Sequence, residues 1–390
     1  MRIAVAGAGI GGLAVAAGLA QSGHDTTIFD QFEAPAPVGS GLVIQPVGLT
    51  VLEWLGASKA ALASGNKIKR MLGHEARSRR PVLDVSYVSK RRARFGLAIH
   101  RAALFEALFE TAKAAGAQVM PGKRVTAAEN GRLDFADGTS EGPFDLVIDA
   151  CGAGSPLSTL KARPLDYGAL WATVYWPQTV LPRNELRQMY RRADRMVGVL
   201  PIGTVPGQVG RKAAIFWSLP QADHDKWRSD GLAAWRQEAE TLWPDFAPFA
   251  EQITDPDQMT MARYSHGTLA HPDGDGIIHI GDAAHRASPQ LGQGANMALL
   301  DAWAVVLALK VARGDAELAA TYYARARRWH VRGYQLMSWA FTPQYQSDSR
   351  VLPVLRDRIL FPLSRVAPVP SILTRLVCGD LLPPHGSLRA

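Results

Sequence analysis

Six residues near the N-terminus constrain this chain more than any other stretch. The apolar run Arg2–Ala6 leads at once into Gly7-Ala8-Gly9-Ile10-Gly11-Gly12. A small-residue helical stretch over 13–22 follows, closed by Gly23, and a second strand-like run over 25–29 ends on Asp30. In this order the glycines have separate tasks. Gly7 makes the tight turn, Gly9 admits a pyrophosphate against the backbone, and Gly12 lets the helix sit against the sheet. The unpaired N–H groups at the helix start face the anion, and Asp30 stands where an acid accepts hydrogen bonds from a ribose. A glycine pattern alone is weak evidence, but strand, helix, second strand and terminal acid together make a dinucleotide-binding unit.

A second motif lies far along the chain. Residues 277–280 form a short β-branched run that stops at Gly281-Asp282, and Pro289, Gly292, Gln293, Gly294 and Asn296 make a loop before an apolar helical run over 297–309. Gly292 and Gly294 allow close backbone approach, and the following helix points its positive end at the loop. Asp282, at the carboxyl end of a strand, is placed to accept from ligand hydroxyls.

Taken together, the two stretches resemble the FAD-dependent aromatic hydroxylases, the single-component flavoprotein monooxygenases of the para-hydroxybenzoate, salicylate and ubiquinone-pathway hydroxylase type. The resemblance runs from Met1 to about Trp339. It implies non-covalent FAD, with Asp282 on the ribityl chain and the loop of Pro289, Gly292, Gln293, Gly294 and Asn296 beside the isoalloxazine ring. It also implies that Arg101, at the start of a helix over 102–115, contacts the cofactor. The implied reaction uses NADH or NADPH and O2 to hydroxylate an electron-rich aromatic ring through a flavin hydroperoxide. Asn296 at the helix end would stabilise negative charge on the flavin, and Pro289 would shape the oxygen site. The family's Gly-Ala-Asp-Gly pattern, with Ser and then Arg beyond it, is altered here: Asp149 replaces the first Gly, Cys151 the Asp and Ser158 the Arg, while Gly152 and Ser155 are kept. That departure leaves two alternatives open, a reductase or halogenase of the same fold and a flavin-binding subunit with little redox activity of its own.

The expected fold is an α/β, doubly wound, Rossmann-like FAD-binding domain (1–75, 97–165 and 265–340) with an inserted antiparallel β-sheet substrate domain (76–96 and 166–264) and a helical C-terminal tail (341–390). At 390 residues the chain exceeds what one core usually serves. Strands rich in aromatics are expected over 170–176, 196–202 and 213–219, with Tyr167, Trp171, Tyr175, Trp176, Phe216 and Trp217 as candidate pocket walls. Asn130-Gly131 and Asp137-Gly138 predict hairpin turns in a small meander, and the segment 39–46 is expected to pass near the flavin.

Composition excludes several classes. Hydrophobic residues make up 47% and charged ones 20%, as in globular proteins. No apolar run reaches the roughly 18 residues of a bilayer span, and a strand starting at residue 2 leaves no room for a leader, so a cytoplasmic protein is expected. Two cysteines and irregularly spaced histidines predict no metal site. Between 67 and 94 stand ten basic residues against Glu75 and Asp84. This charge without interleaved aromatics reads as a solvated face or a steering surface for an anion, not a nucleic-acid site. The tail, rich in Pro and Arg, is expected to pack back on the body rather than to lie on a membrane or a partner.

Overall fold

The computed structural model describes residues 1–33, 39–88, 93–386 and 388. A six-stranded sheet organises the first domain. Arg2–Ala6 lies between Asp25–Phe29 and Leu146–Asp149, with Gln118–Met120 and Ile277–His279 further out, all parallel, and Asp273–Gly274 antiparallel at the edge. The register sets Ala6 beside both Phe29 and Asp149, and Asp149 beside His279. The carboxyl ends of four strands thus fall in one row, where open α/β sheets bind their ligands.

Alternation along the strands decides what covers each face. Ile3, Val5, Ile28 and Ile148 pack against the helices Ile10–Gln21, Arg101–Ala114 and Gly294–Val311. Ala4, Ala6, Phe29 and Val147 pack on the opposite face against Val125, Leu133, Phe135 and Phe144. That second layer is the expected meander, a three-stranded antiparallel sheet of Val125–Glu129, Arg132–Phe135 and Ser140–Glu141. The helix Gly294–Val311 begins earlier than the sequence suggested and has 18 residues apolar enough, by length and composition, to cross a membrane. This corrects the expectation that no such run exists. The helix is the core of the domain, packed on Ile10–Gln21 on one side and Ala316–Tyr345 on another, with Asp301 inside it.

The second domain is an eight-stranded sheet in the order His285–Arg286, Thr260–Thr268, Arg163–Tyr175, Lys212–Pro220, Arg195–Gly203, Glu185–Arg191, Arg70–Glu75 and Pro81–Ser86. Arg70–Glu75 pairs here, parallel to Glu185–Arg191, so sheet membership reaches back before residue 76, and Thr260–Thr268 carries it beyond 264. In Lys212–Pro220, Ile215, Trp217 and Leu219 face the aromatic cluster of Trp235, Phe246 and Phe249, whereas Ala214 and Phe216 face the interior between the domains. The long helix Ala316–Tyr345 runs six residues past the expected end at Trp339, so the start of the expected tail belongs to it. Beyond it, a helical stretch over 352–364 and the helix Val369–Cys378 pack back on the body. Thr374 Oγ1 donates to Ser86 O at 2.9 Å, and Arg94 pairs with Asp380 at 2.6 Å.

Candidate active site

The glycine turn has the form the sequence predicts. Gly7 sits at φ +104°, and a Cβ there would meet Ala150 O at 2.5 Å; a Cβ on Gly12 would meet Gly7 O at 1.9 Å. A Cβ on Gly9 would meet nothing within 4 Å, so Gly12 serves packing and Gly9 faces open space. The helix start is not capped by a side chain. Asp30 lies at the end of its strand, and its carboxylate accepts from Ala8 N at 2.6 Å and Phe32 N at 2.9 Å. It braces the turn from within.

The second motif is built beside the first, since a Cβ on Gly11 would lie 3.3 Å from Ala298 Cβ. Gly281 and Gly292 adopt φ +58° and +60°, conformations that favour glycine. The helix Gly294–Val311 also starts without a side-chain cap. Asp282 is exposed and borders the main cavity with Pro289, Gly292, Gly294, Arg101 and the segment Gly39–Val43. Arg101 N donates to Ser40 O at 3.1 Å, and a Cβ on Gly39 would lie 3.1 Å from Arg101 Cδ. The loop at 39–41 and the start of the Arg101 helix are therefore one structural unit.

Two of the expected contacts are different in kind. Asn296 is fully buried: its Oδ1 accepts from Gln45 N at 2.8 Å, and its Nδ2 donates to Val43 O and Gly292 O at 3.1 and 3.0 Å. Its side chain braces the loop against the 43–45 segment and does not border the cavity. The Gln293 side chain turns away, donating to Val377 O at 2.9 Å, and so holds the tail. A feature absent from the sequence reading takes their place: Gln45 Nε2 is buried without a partner among the described residues and lies 3.3 Å from where a Cβ on Gly292 would be. An orphaned donor beside a glycine loop, two uncapped helix starts and the open space at Gly9 all suit an extended, phosphate-bearing cofactor with acceptor atoms on its ring. These residues fit FAD.

Asp149, expected only as a departure from the family pattern, is a buried centre. It accepts from Cys151 N at 3.0 Å and Ser155 Oγ at 2.6 Å and lies 2.7 Å from His279 Nδ1. Burial first, and then Asp149, push the Cys151 thiol far above its usual range, so it stays a thiol and points at Ala6 O. Ser158 Oγ donates to Ala283 O at 2.6 Å, tying this segment to the Asp282 turn. The altered positions are thus internally satisfied. Asp301 is a second centre the sequence hid. It accepts from Gly281 N, lies 2.7 Å from His285 Nε2, and pairs with Arg327 Nε at 2.7 Å. Burial opposes its ionisation, yet His285 and Arg327 hold the carboxyl well below the usual carboxylate range.

The cavity itself has a volume of about 1130 Å³. Of the aromatic candidates, Trp171 and Phe216 border it, while Trp217 faces the aromatic cluster on the other side of the sheet. Tyr264, not singled out from sequence, accepts from Trp171 Nε1 at 2.8 Å and is pushed up to about 12 by burial. Its own proton remains available to a ligand. The remaining wall is mostly apolar, and part of it comes from the tail through Leu360, Phe361, Leu373 and Leu376. Among the described residues no His, Cys, Asp or Glu group is placed to hold a metal ion.

A parallel sheet with a glycine turn, a second glycine loop at a helix start and a large cavity under an antiparallel sheet are the features of a flavin-dependent oxidoreductase. The family model described as FAD binding domain matches residues 1–136 and 169–335, and the chain belongs to this family, the FAD-dependent aromatic hydroxylases. The chain is 28% identical over 344 residues to a 3-amino-4-hydroxybenzoate 2-monooxygenase of Streptomyces cremeus, covering 84% of this chain and 83% of the relative. It is 25% identical to an FAD-dependent urate hydroxylase of Mycolicibacterium vanbaalenii, covering 84% of each. Among solved structures, Klebsiella pneumoniae HpxO complexed with FAD and uric acid has the same fold, with a TM-score of 0.82 at 22% identity over all of this chain and 98% of that one.

Proposed function

We propose that this FAD-dependent monooxygenase takes electrons from NADH or NADPH and inserts one oxygen atom of O2 into an electron-rich, largely apolar aromatic or heteroaromatic ring. The observation that carries the reading is a cavity bordered by the Asp282 turn and the Pro289–Gly294 loop on one side, Trp171, Phe216 and Tyr264 on another, and tail residues on a third. Bound FAD supplies the two-electron redox chemistry and the activation of O2; the chain supplies position, a dry site and electrostatics. Gly9 and Asp30 hold the dinucleotide end on the turn that Gly7 and Gly12 shape; Arg101 and Asp282 hold the middle; and the N–H groups at the Gly294 helix start favour negative charge on the ring. Pro289, which has no N–H and is exposed to the cavity, keeps that wall apolar. Asn296 acts through the backbone it braces. The Tyr264 hydroxyl, fixed by Trp171, donates to an acceptor on the substrate ring. The related monooxygenases act, by name, on an aminohydroxybenzoate and on urate, both electron-rich rings.

The test is to mix FAD-loaded protein anaerobically with NADH and with NADPH, then admit ¹⁸O₂ with a panel of hydroxy- and amino-substituted rings. Bleaching of the flavin followed by a product carrying one ¹⁸O atom is expected. Reduction with no labelled product for any ring would favour the reductase alternative, and no reduction by either nucleotide would refute the proposal. Tyr264→Phe should weaken substrate binding by about 0.5 to 1.5 kcal/mol, the net worth of one hydrogen bond, read as a raised KM with the flavin spectrum unchanged.

A further inference from the structure

The stretch 351–366 turns a row of apolar side chains outward. Val351, Val354, Leu355, Ile359, Leu363 and Val366, adjacent at 354–355 and otherwise three or four residues apart, are 73, 57, 37, 51, 53 and 58% exposed, whereas the inward side buries Pro353 and Phe361 and sets Arg356, at 1% exposure, between the rings of Tyr190 and Tyr345. A helix on a water-facing surface turns its apolar stripe to the core. Isolated exposed apolar side chains are ordinary, but a contiguous row marks an interaction surface. The long helix that packs on the start of this stretch also exposes Leu336 and Trp339, each at 64%.

Charge identifies the occupant. Arg358 and Arg365 are exposed along the same stretch, and its one acid, Asp357, is held by Arg356 at 2.6 Å. Apolar side chains and a tryptophan among arginines, with no free acid, fit an anionic bilayer surface, where apolar groups enter the acyl boundary and arginines meet phosphates. Position identifies the use. Leu363 is exposed and also borders the main cavity, as do its neighbours Leu360 and Phe361. We propose that this outward face of the C-terminal stretch docks on anionic phospholipid bilayers, so that the apolar cavity opens toward the membrane interface and receives membrane-partitioned ring compounds. The substrate clause rests on the function proposed above; the docking does not.

Full-length FAD-loaded protein is sedimented with vesicles of phosphatidylcholine alone and of phosphatidylcholine with phosphatidylglycerol, and its mass is measured by analytical ultracentrifugation. Binding to the anionic vesicles is expected to be at least tenfold tighter than to the neutral ones and to weaken in about 0.5 M salt. Ile359→Glu with Val366→Glu, and separately Arg358→Glu with Arg365→Glu, should each lower it more than tenfold while leaving the flavin spectrum and Tm in place. Neither pair borders the cavity. Absence of binding to both vesicles overturns the proposal. So does a dimer that the Ile359→Glu, Val366→Glu variant dissociates while vesicle binding is unchanged, because the face would then be covered by a second copy. Vesicle binding is read without turnover, so its failure is distinct from failure of the hydroxylation reading.

Discussion

Gly9 and Gly12, three residues apart in one turn, make opposite predictions. Gly9 has φ −71° and open space where a Cβ would point, so Gly9→Val should leave the unliganded fold within about 0.5 kcal/mol of the parent, as at a surface position. It should weaken FAD by at least about tenfold, or ~1.4 kcal/mol, because the added branch occupies the cofactor's approach. Gly12→Ala sets a methyl 1.9 Å from Gly7 O, backbone that cannot swing aside, and should cost about 1 to 3 kcal/mol or more of stability. Urea unfolding of the FAD-free proteins and fluorescence titration with FAD separate the two effects. A Gly9→Val protein that binds FAD normally would remove the pyrophosphate from that turn. At the same scale, Asn296 and Gln293 show where a motif misleads: the loop is where the sequence places it, but both amides are spent on holding Val43, Gln45 and Val377. A motif specifies which backbone turns; it does not specify which partner a long polar side chain reaches.

Among the elements, the long helix Ala316–Tyr345 and the C-terminal stretch meet over a buried charged network that carries a pH dependence. Arg327 bonds Asp301 and also contacts His330 Nδ1 and Pro384 O, while His330 Nε2 lies 3.0 Å from Gly379 O. Burial first, and then Arg327, lower both His330 and His385 to about 3. A histidine of lowered pKa takes up its proton more readily unfolded, near 6.5. Stability is therefore full above about pH 6.5 and falls as pH drops toward 3, by about 1.4 kcal/mol per pH unit for each group. Asp301, whose carboxyl is held low, adds a loss only below about pH 4, in the same direction. By pH 5 the two histidines together should cost at most about 4 kcal/mol. Urea midpoints from pH 7.5 to 5 should show the slope, and His330→Gln with His385→Gln should flatten it; an unchanged slope would place the titration elsewhere. This network was not legible in the sequence, because its members come from positions 281, 285, 301, 327, 330 and 379–385, and beyond Arg327 and His330 on one helix no local period joins these distant segments. The strands 170–176, 196–202 and 213–219 were legible, since an alternating run states its own conformation. The strand Glu185–Arg191 was not, because its polar side chains break the alternation while its pairing with Arg70–Glu75 spans more than a hundred residues.

For the molecule as a whole, the excess of eight positive charges matters chiefly to what it meets in solution. Within residues 67–94, Arg70 is paired with Asp84 and Glu185, and Arg94 with Asp380 of the tail, while Lys69, Arg77 and Arg80 are exposed; Lys90, Arg91 and Arg92 lie outside the described residues. The segment therefore divides into charges that hold structure and charges that face solvent, a division that composition alone does not reveal. If NADH or NADPH is the reductant, an anion approaches a cationic surface, and the second-order rate of flavin reduction should fall severalfold between about 0.02 and 0.3 M salt as the screening length shrinks from roughly 20 Å toward 6 Å. Arg77→Gln with Arg80→Gln should reduce the rate at low salt and flatten this dependence while leaving Tm unchanged. Arg94→Gln should do the reverse: it releases Asp380 and loosens the tail, lowering stability by up to about 1 kcal/mol as a partly exposed pair does, with the salt slope kept. Stopped-flow reduction across the salt series, set beside the melting curves of the same three proteins, distinguishes the two kinds of arginine. A flat salt dependence in the parent protein would mean that the basic segment is a solvated face and that encounter with the reductant is not electrostatically steered.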